Sequence, residues 1–133
     1  MSVHFEHFAL NVPDPRDLAD WYVSHLGAQI LSQADAPKFT TFLADTTGRT
    51  FLEVYYNEAA PVDSFAERKP LTFHFAFQTG NAADLRDQLL KQGATLVEEQ
   101  QPETGTHLVM LRDPWGIPLQ LCQRSKPYPT KSR

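Results

Sequence analysis

A unit of roughly 60 residues occurs twice in this chain, and such a duplication restricts the possible folds more than any other feature. Glu6-His7-Phe8-Ala9 is matched by Phe73-His74-Phe75-Ala76, and Asp17-Leu18-Ala19-Asp20 by Asp84-Leu85-Arg86-Asp87, in both cases 67 residues on. Asp45-Thr46-Thr47-Gly48 is echoed by Asp113-Pro114-Trp115-Gly116. Leu52-Glu53-Val54 is echoed by Leu119-Gln120-Leu121, again 67 residues apart. Agreement at both ends and in the middle of the unit makes chance a poor account.

Each unit reads as a strand, a helix and three strands. The first strand covers residues 3–12, with Val3, Phe5, Phe8 and Val12 as β-favouring residues. Asp14 is placed to cap a helix that Pro15 opens, and Asp17 sits where the helix dipole is positive. Leu18, Trp21, Tyr22 and Leu26 form one apolar helix face, and Gly27 is suited to the left-handed residue that ends it. Residues 28–34, 38–44 and 50–57 then read as strands. The second unit repeats the pattern: strand 71–79, an Asn81-capped helix running to Gln92, Gly93 as terminator, and strands near 94–100, 106–112 and 117–124. The expected fold class is α+β, one domain over 1–133 made of two tandem βαβββ modules at 3–57 and 71–124. Residues 58–70, with Pro61, Pro70 and mixed charges, read as a linker, and 125–133 as a tail with little to bury.

Composition removes several classes of partner. The net charge is −4 with Lys and Arg scattered, which argues against nucleic acid. No apolar run approaches the roughly 18 residues of a membrane span, and no secretory leader pattern is visible. The single cysteine, Cys122, cannot make an internal bridge, so a cytoplasmic location is expected.

Side chains on a strand alternate faces, so parity decides which residues share an environment. Phe73, Phe75 and Phe77 fall on one face, expected to lie under helices, and Thr72, His74, Ala76 and Gln78 on the other. His7 shares a face with Phe5, Ala9 and Asn11, while Phe8, Leu10 and Val12 face the helix. Glu53 and Gln120 oppose the leucines that flank them. His7, Glu53, His74 and Gln120 thus project from the first and last strands of the two units toward the concave side. Burying an unpaired charge there is costly, and a divalent cation would satisfy all four at once. Two imidazoles and a carboxylate, with an amide oxygen to complete the shell, are a known ligand set for Fe(II), Mn or Zn. The ordinary alternatives are hydrogen-bonded core histidines, an ion pair of Glu53 with an arginine, and a glutamine satisfied on a buried strand. Tyr55, His107, Arg112 and Trp115 are pocket candidates that ordinary packing or turn structure would equally explain. Cys122 shares the face of Gln120, where a cysteine is commonly an inert small apolar group. His4 and His25 read as surface residues.

His7-Phe8-Ala9-Leu10-Asn11-Val12, Phe51-Leu52-Glu53-Val54, Phe73-His74-Phe75-Ala76 and Asp113-Pro114-Trp115-Gly116-Ile117-Pro118-Leu119-Gln120-Leu121 resemble the four signature strands of the vicinal-oxygen-chelate superfamily (glyoxalase/bleomycin resistance/dioxygenase). The resemblance runs from residue 3 to about 124, spacing included. It implies paired modules whose mixed sheets form an open, cup-shaped barrel with helices outside. It also implies one divalent metal (Zn, Ni, Co, Mn or Fe) held by His7, Glu53, His74 and Gln120. Many members place a glutamate where Gln120 stands. Methylmalonyl-CoA epimerase carries the same four residue types with the modules exchanged. The implied function is a glyoxalase-like lyase or isomerase in which Glu53 is catalytic and the substrate chelates the metal through adjacent oxygens. An Fe(II)-dependent extradiol-type dioxygenase and a metal-free binder of the bleomycin-resistance type are the alternatives. A small-molecule substrate, a homodimer, and no nucleic-acid or membrane partner complete the expectation.

Overall fold

The computed structural model describes residues 1–129, in two compact units that meet between Asp63 and Ser64. Unit one contains β1 (Phe8–Asn11), α1 (Pro15–Leu26), β2 (Gln29–Gln33), β3 (Thr41–Ala44) and β4 (Thr50–Tyr55). Unit two opens with a 3-10 turn at Phe65–Glu67. It continues with β5 (Phe75–Gln78), α2 (Ala82–Leu90), β6 (Thr95–Glu103), β7 (Thr106–Arg112) and β8 (Pro118–Gln123). Each unit is therefore βαβββ, as the repeat requires. The sheet orders are β1-β4-β3-β2 and β5-β8-β7-β6. Both four-stranded sheets are open and mixed: first and last strands pair in parallel, and the other pairs are antiparallel. A parallel pair needs a long crossover, which the helix and two intervening strands supply. Sequence-distant ends of each repeat thereby become neighbours, with Ala9 opposite Glu53 and Ala76 opposite Gln120.

The helix-start signals are expressed in both units, while α2 ends at Leu90 with Lys91 as its C-cap rather than running to Gln92. Asp14 is extended, and its carboxylate accepts from the Arg16 N–H; Pro15 opens the helix, and Gly27 closes it at φ 68°. A Cβ at Gly27 would also stand 2.9 Å from Thr46 Cγ2, so both conformation and space call for glycine there. Leu18, Ala19, Trp21 and Tyr22 are the buried face of α1. In unit two the Asn81 side chain accepts from Asp84 N, and Leu89 is the fully buried anchor of α2. Along β4 the burial alternates, with Leu52 and Val54 inside and Glu53 and Tyr55 partly exposed. β8 repeats this, with Leu119 and Leu121 fully buried, and Val109 and Leu111 beside them on β7. Burying one such side chain stabilises by about 2 kcal/mol, so these stripes set the register and fix which face carries the polar residues.

The strand starts differ from expectation. β1 begins at Phe8 rather than residue 3, with Phe8 opposite Leu52 of β4; Val3 and Phe5 are exposed. Phe8, expected on the helix side, remains 49% exposed at this edge. β5 begins at Phe75 rather than 71, since a turn with Thr72 N donating to Lys69 O (2.8 Å) occupies the preceding residues. β3 begins at Thr41 rather than 38, the preceding loop holding Phe39 at φ 49°. Within 58–70, read as a linker, Phe65 is buried in unit two. Of the tail, residues 130–133 lie outside the described residues. No helix among the described residues is long and apolar enough to cross a membrane.

Candidate functional site

Each histidine of interest stands one residue before an edge strand, two positions ahead of the alanine that faces Glu53 or Gln120. In unit one His7 Nε2 is 3.3 Å from Glu53 Oε1, both side chains being partly buried. His7 Nδ1 lies 2.8 Å from Glu6 Oε1. A carboxylate can only accept, so Nδ1 carries the proton there. In a neutral ring Nε2 then presents a lone pair to a carboxylate oxygen, and two acceptors at 3.3 Å need a proton or a cation between them. The Phe42 ring packs edge-on against His7 at 5.4 Å and sits opposite Glu53 in the register, walling this pair with an aromatic surface.

Unit two offers the equivalent arrangement with softer chemistry. His74 Nδ1 donates to Pro70 O at 2.8 Å, which again leaves Nε2 with the lone pair. The Cys122 thiol donates to Gln120 Oε1 at 3.4 Å. Burial pushes the Cys122 thiol up, outweighing the nearby Arg124 cation, so it remains a donor rather than a thiolate. Met110 stands opposite Gln120 where Phe42 stands opposite Glu53.

Metal-bound histidines commonly give their second ring N–H to a carboxylate or a backbone carbonyl. Both histidines here do so, one in each manner. Each unit therefore carries donor types that a divalent cation accepts: an oriented imidazole with a carboxylate in unit one, and an oriented imidazole with an amide oxygen in unit two. Within each unit the candidates come as a pair. Among the described residues, no group of three or more His, Cys, Asp or Glu could hold a metal ion.

The pocket candidates separate. Tyr55 follows Glu53 at i+2 and shares its face, and Cys122 stands in the same relation to Gln120. Arg112 also shares the Gln120 face, being opposite Pro118, but its guanidinium donates to the carbonyls of Phe65, Arg68 and Gly116. Trp115 is part of the turn before β8, its N–H donating to Asp113 Oδ1. His107 fits the packing alternative. It alternates with Val109 and Leu111 on the helix-facing side of β7, across the sheet from Gln120. There its Nε2 is 3.2 Å from Glu99, whose carboxylate also pairs with Arg86 of α2. The Arg86 hydrogen bond holds Glu99 below the usual carboxylate range, so His107 belongs to a structural ion cluster. Glu6 was the residue that sequence reasoning missed: it precedes His7, and nothing in its type or position distinguishes it from a surface glutamate.

Comparison with known proteins agrees with this architecture. The family model described as Glyoxalase/Bleomycin resistance protein/Dioxygenase superfamily matches residues 4–121. An ethylmalonyl-CoA/methylmalonyl-CoA epimerase of Cereibacter sphaeroides is 28% identical over 112 residues, covering 80% of this chain and 84% of that protein. A lactoylglutathione lyase of Escherichia coli O157:H7 is 27% identical over 124 residues, covering 88% and 90%. The genomically encoded fosfomycin resistance protein of Listeria monocytogenes superposes with a TM-score of 0.70 at 15% identity, over 92% of this chain and 93% of that one. At that identity the last likeness speaks to fold alone.

Proposed function

The chain belongs to the Glyoxalase/Bleomycin resistance protein/Dioxygenase superfamily, and on that premise we propose that it is a metal-dependent, glyoxalase-like lyase or isomerase. Its substrate is a small molecule that offers adjacent oxygens to the ion. The observation that supports this reading is the matched state of the two histidines, each with Nδ1 engaged by an oxygen, and with His7 Nε2 turned to Glu53 at 3.3 Å. His7, Glu53, His74 and Gln120 hold one divalent cation, the modules pairing within one chain or across a homodimer. When bound, the ion polarises a substrate carbonyl and stabilises developing enolate charge by on the order of several kcal/mol.

The remaining chemistry falls to this chain's own groups. Glu53 is the one carboxylate of the four, so it takes the proton from the carbon beside the carbonyl. The C–H electron pair passes into the enolate. The same carboxylate returns the proton to the original carbon, or to the former carbonyl carbon while the proton of the substrate hydroxyl passes to the former carbonyl oxygen. Gln120 cannot replace it, since an amide accepts no proton at neutral pH. Gln120 leaves the site one negative charge poorer than a glutamate would, which favours carbonyl polarisation. His7 and His74 remain anchors, Nδ1 of each being engaged. The relatives named as an epimerase and a lyase support this reading over the dioxygenase.

Metal analysis of protein purified without chelator or affinity-column nickel tests the reading. Stoichiometric Zn, Ni, Co or Mn is expected, with His74→Ala abolishing it while the fold survives. Iron with oxygen chemistry would favour the dioxygenase, and affinity no better than millimolar for any divalent ion would leave only the binder. Assembly is a separate expectation. β2 and β6 are solvent-exposed edge strands carrying Ile30, Leu31, Leu96 and Val97, and such edges invite pairing or cover. Light scattering should return a dimer; the 15.1 kDa monomer at tens of micromolar would refute it.

A further inference from the structure

We infer that Arg112 is a positioning residue for His74, acting through the backbone of residues 65–70. Arg112 closes β7, and its guanidinium reaches three carbonyls. Nη1 donates to Phe65 O at 3.0 Å and Gly116 O at 3.1 Å, and Nη2 to Arg68 O at 2.7 Å. A planar fork with fixed donor directions can hold two carbonyls of one short turn at a set separation, which a single point donor cannot. Two further contacts seat the same segment. The Phe65 ring is buried and meets Phe73, the residue before His74, at 6.3 Å. The backbone at Gly116 approaches Ala66 so closely that a Cβ there would stand 2.7 Å from Ala66 N.

The far end of this clamped segment delivers the chemistry. Lys69 O accepts from Thr72 N, turning the chain back, and Pro70 O receives His74 Nδ1 at 2.8 Å. A carbonyl only accepts, so its placement selects the tautomer with the proton on Nδ1 and the lone pair on Nε2. The Arg112 fork thus selects the state of an imidazole it does not touch. His7 has a different partner, the Glu6 side chain, and serves as an internal control.

That His74 is a metal ligand rests on the proposed function; the tautomer assignment does not. The test therefore begins with metal-free protein at mildly alkaline pH, reading ring nitrogen shifts by 15N NMR. Arg112→Lys keeps the charge and most of the stem but loses the fork. Gly116→Ala disturbs the segment from the opposite side with Arg112 intact. Both variants should move His74 from the Nδ1–H form toward a tautomer mixture and leave His7 unchanged. Affinity for Zn2+ alone should then fall ~10–100-fold by calorimetry, the usual loss when a ligand's outer partner is removed. An unaltered His74 tautomer in both folded variants, or equal changes at His7 and His74, would overturn the inference. If the wild type binds no metal, the proposed function fails, and the tautomer comparison still decides the role of Arg112.

Discussion

Replacing Glu53 by glutamine is expected to slow solvent-deuterium exchange beside the substrate carbonyl by ~10²–10⁴, the usual contribution of a positioned acid–base group. The substitution keeps the size of the side chain and an oxygen able to ligate, so some metal should remain bound. What it removes is the group that can carry a proton. Substrates to test are α-hydroxycarbonyls, hemithioacetals and an α-branched acyl thioester, the last because one relative is an ethylmalonyl-CoA/methylmalonyl-CoA epimerase. Gln120→Glu provides the contrasting variant. It restores a second carboxylate without touching Glu53, and measurable exchange should persist. Undiminished exchange in Glu53→Gln would remove this residue from the chemistry. Oxygen uptake by the iron-loaded wild type with a catechol would move the whole assignment to the dioxygenase.

The sequence revealed what local chemistry and period determine. Asp14, Pro15 and Gly27 bound α1 because each acts on its own backbone, without reference to distant partners. The alternation around Glu53 and Gln120 located the polar face, because Leu52, Val54, Leu119 and Leu121 must be buried together. Strand starts were less legible: β5 gives way to a turn closed by Thr72 N–H on Lys69 O, a backbone contact that residue type does not announce. For His107 the packing alternative describes its surroundings: it shares the face of Val109 and Leu111 and meets Glu99, which pairs with Arg86, long-range partners that residue type does not announce. The clamp on residues 65–70 was invisible for another reason. Carbonyl acceptors leave no trace in residue type, and Arg112 bonds only to carbonyls there. Phe65 was its one available signal, the single aromatic residue between Glu58 and Pro70.

The turn aspartates allow the duplication to test itself. Asp113 is 2% exposed, and its Oδ1 accepts from the N–H groups of Trp115 and Ile117, each at 2.9 Å. Its own N–H reaches Ile117 O, and Gly116 N–H returns to Asp113 O, closing the turn that launches β8 toward Gln120. Asp45 repeats the motif before β4, accepting from Thr47 N at 2.8 Å and more loosely from Arg49 N at 3.4 Å, but it is only half-buried and both donors belong to exposed residues. Water can replace a lost acceptor at Asp45, whereas Ile117 N–H is buried and would be left without one. Asp113→Ala should therefore destabilise by about 2–4 kcal/mol and lower Tm by roughly 10 °C, while Asp45→Ala should cost about 1 kcal/mol. Asp113→Asn retains an acceptor oxygen and should recover most of the loss, which separates hydrogen bonding from side-chain volume. Urea unfolding of the three variants measures the differences directly. Equal losses at the two aspartates would mean that burial is not what distinguishes the turns. A loss at Asp113→Asn as large as at Asp113→Ala would mean that the charge, not the acceptor, holds this one.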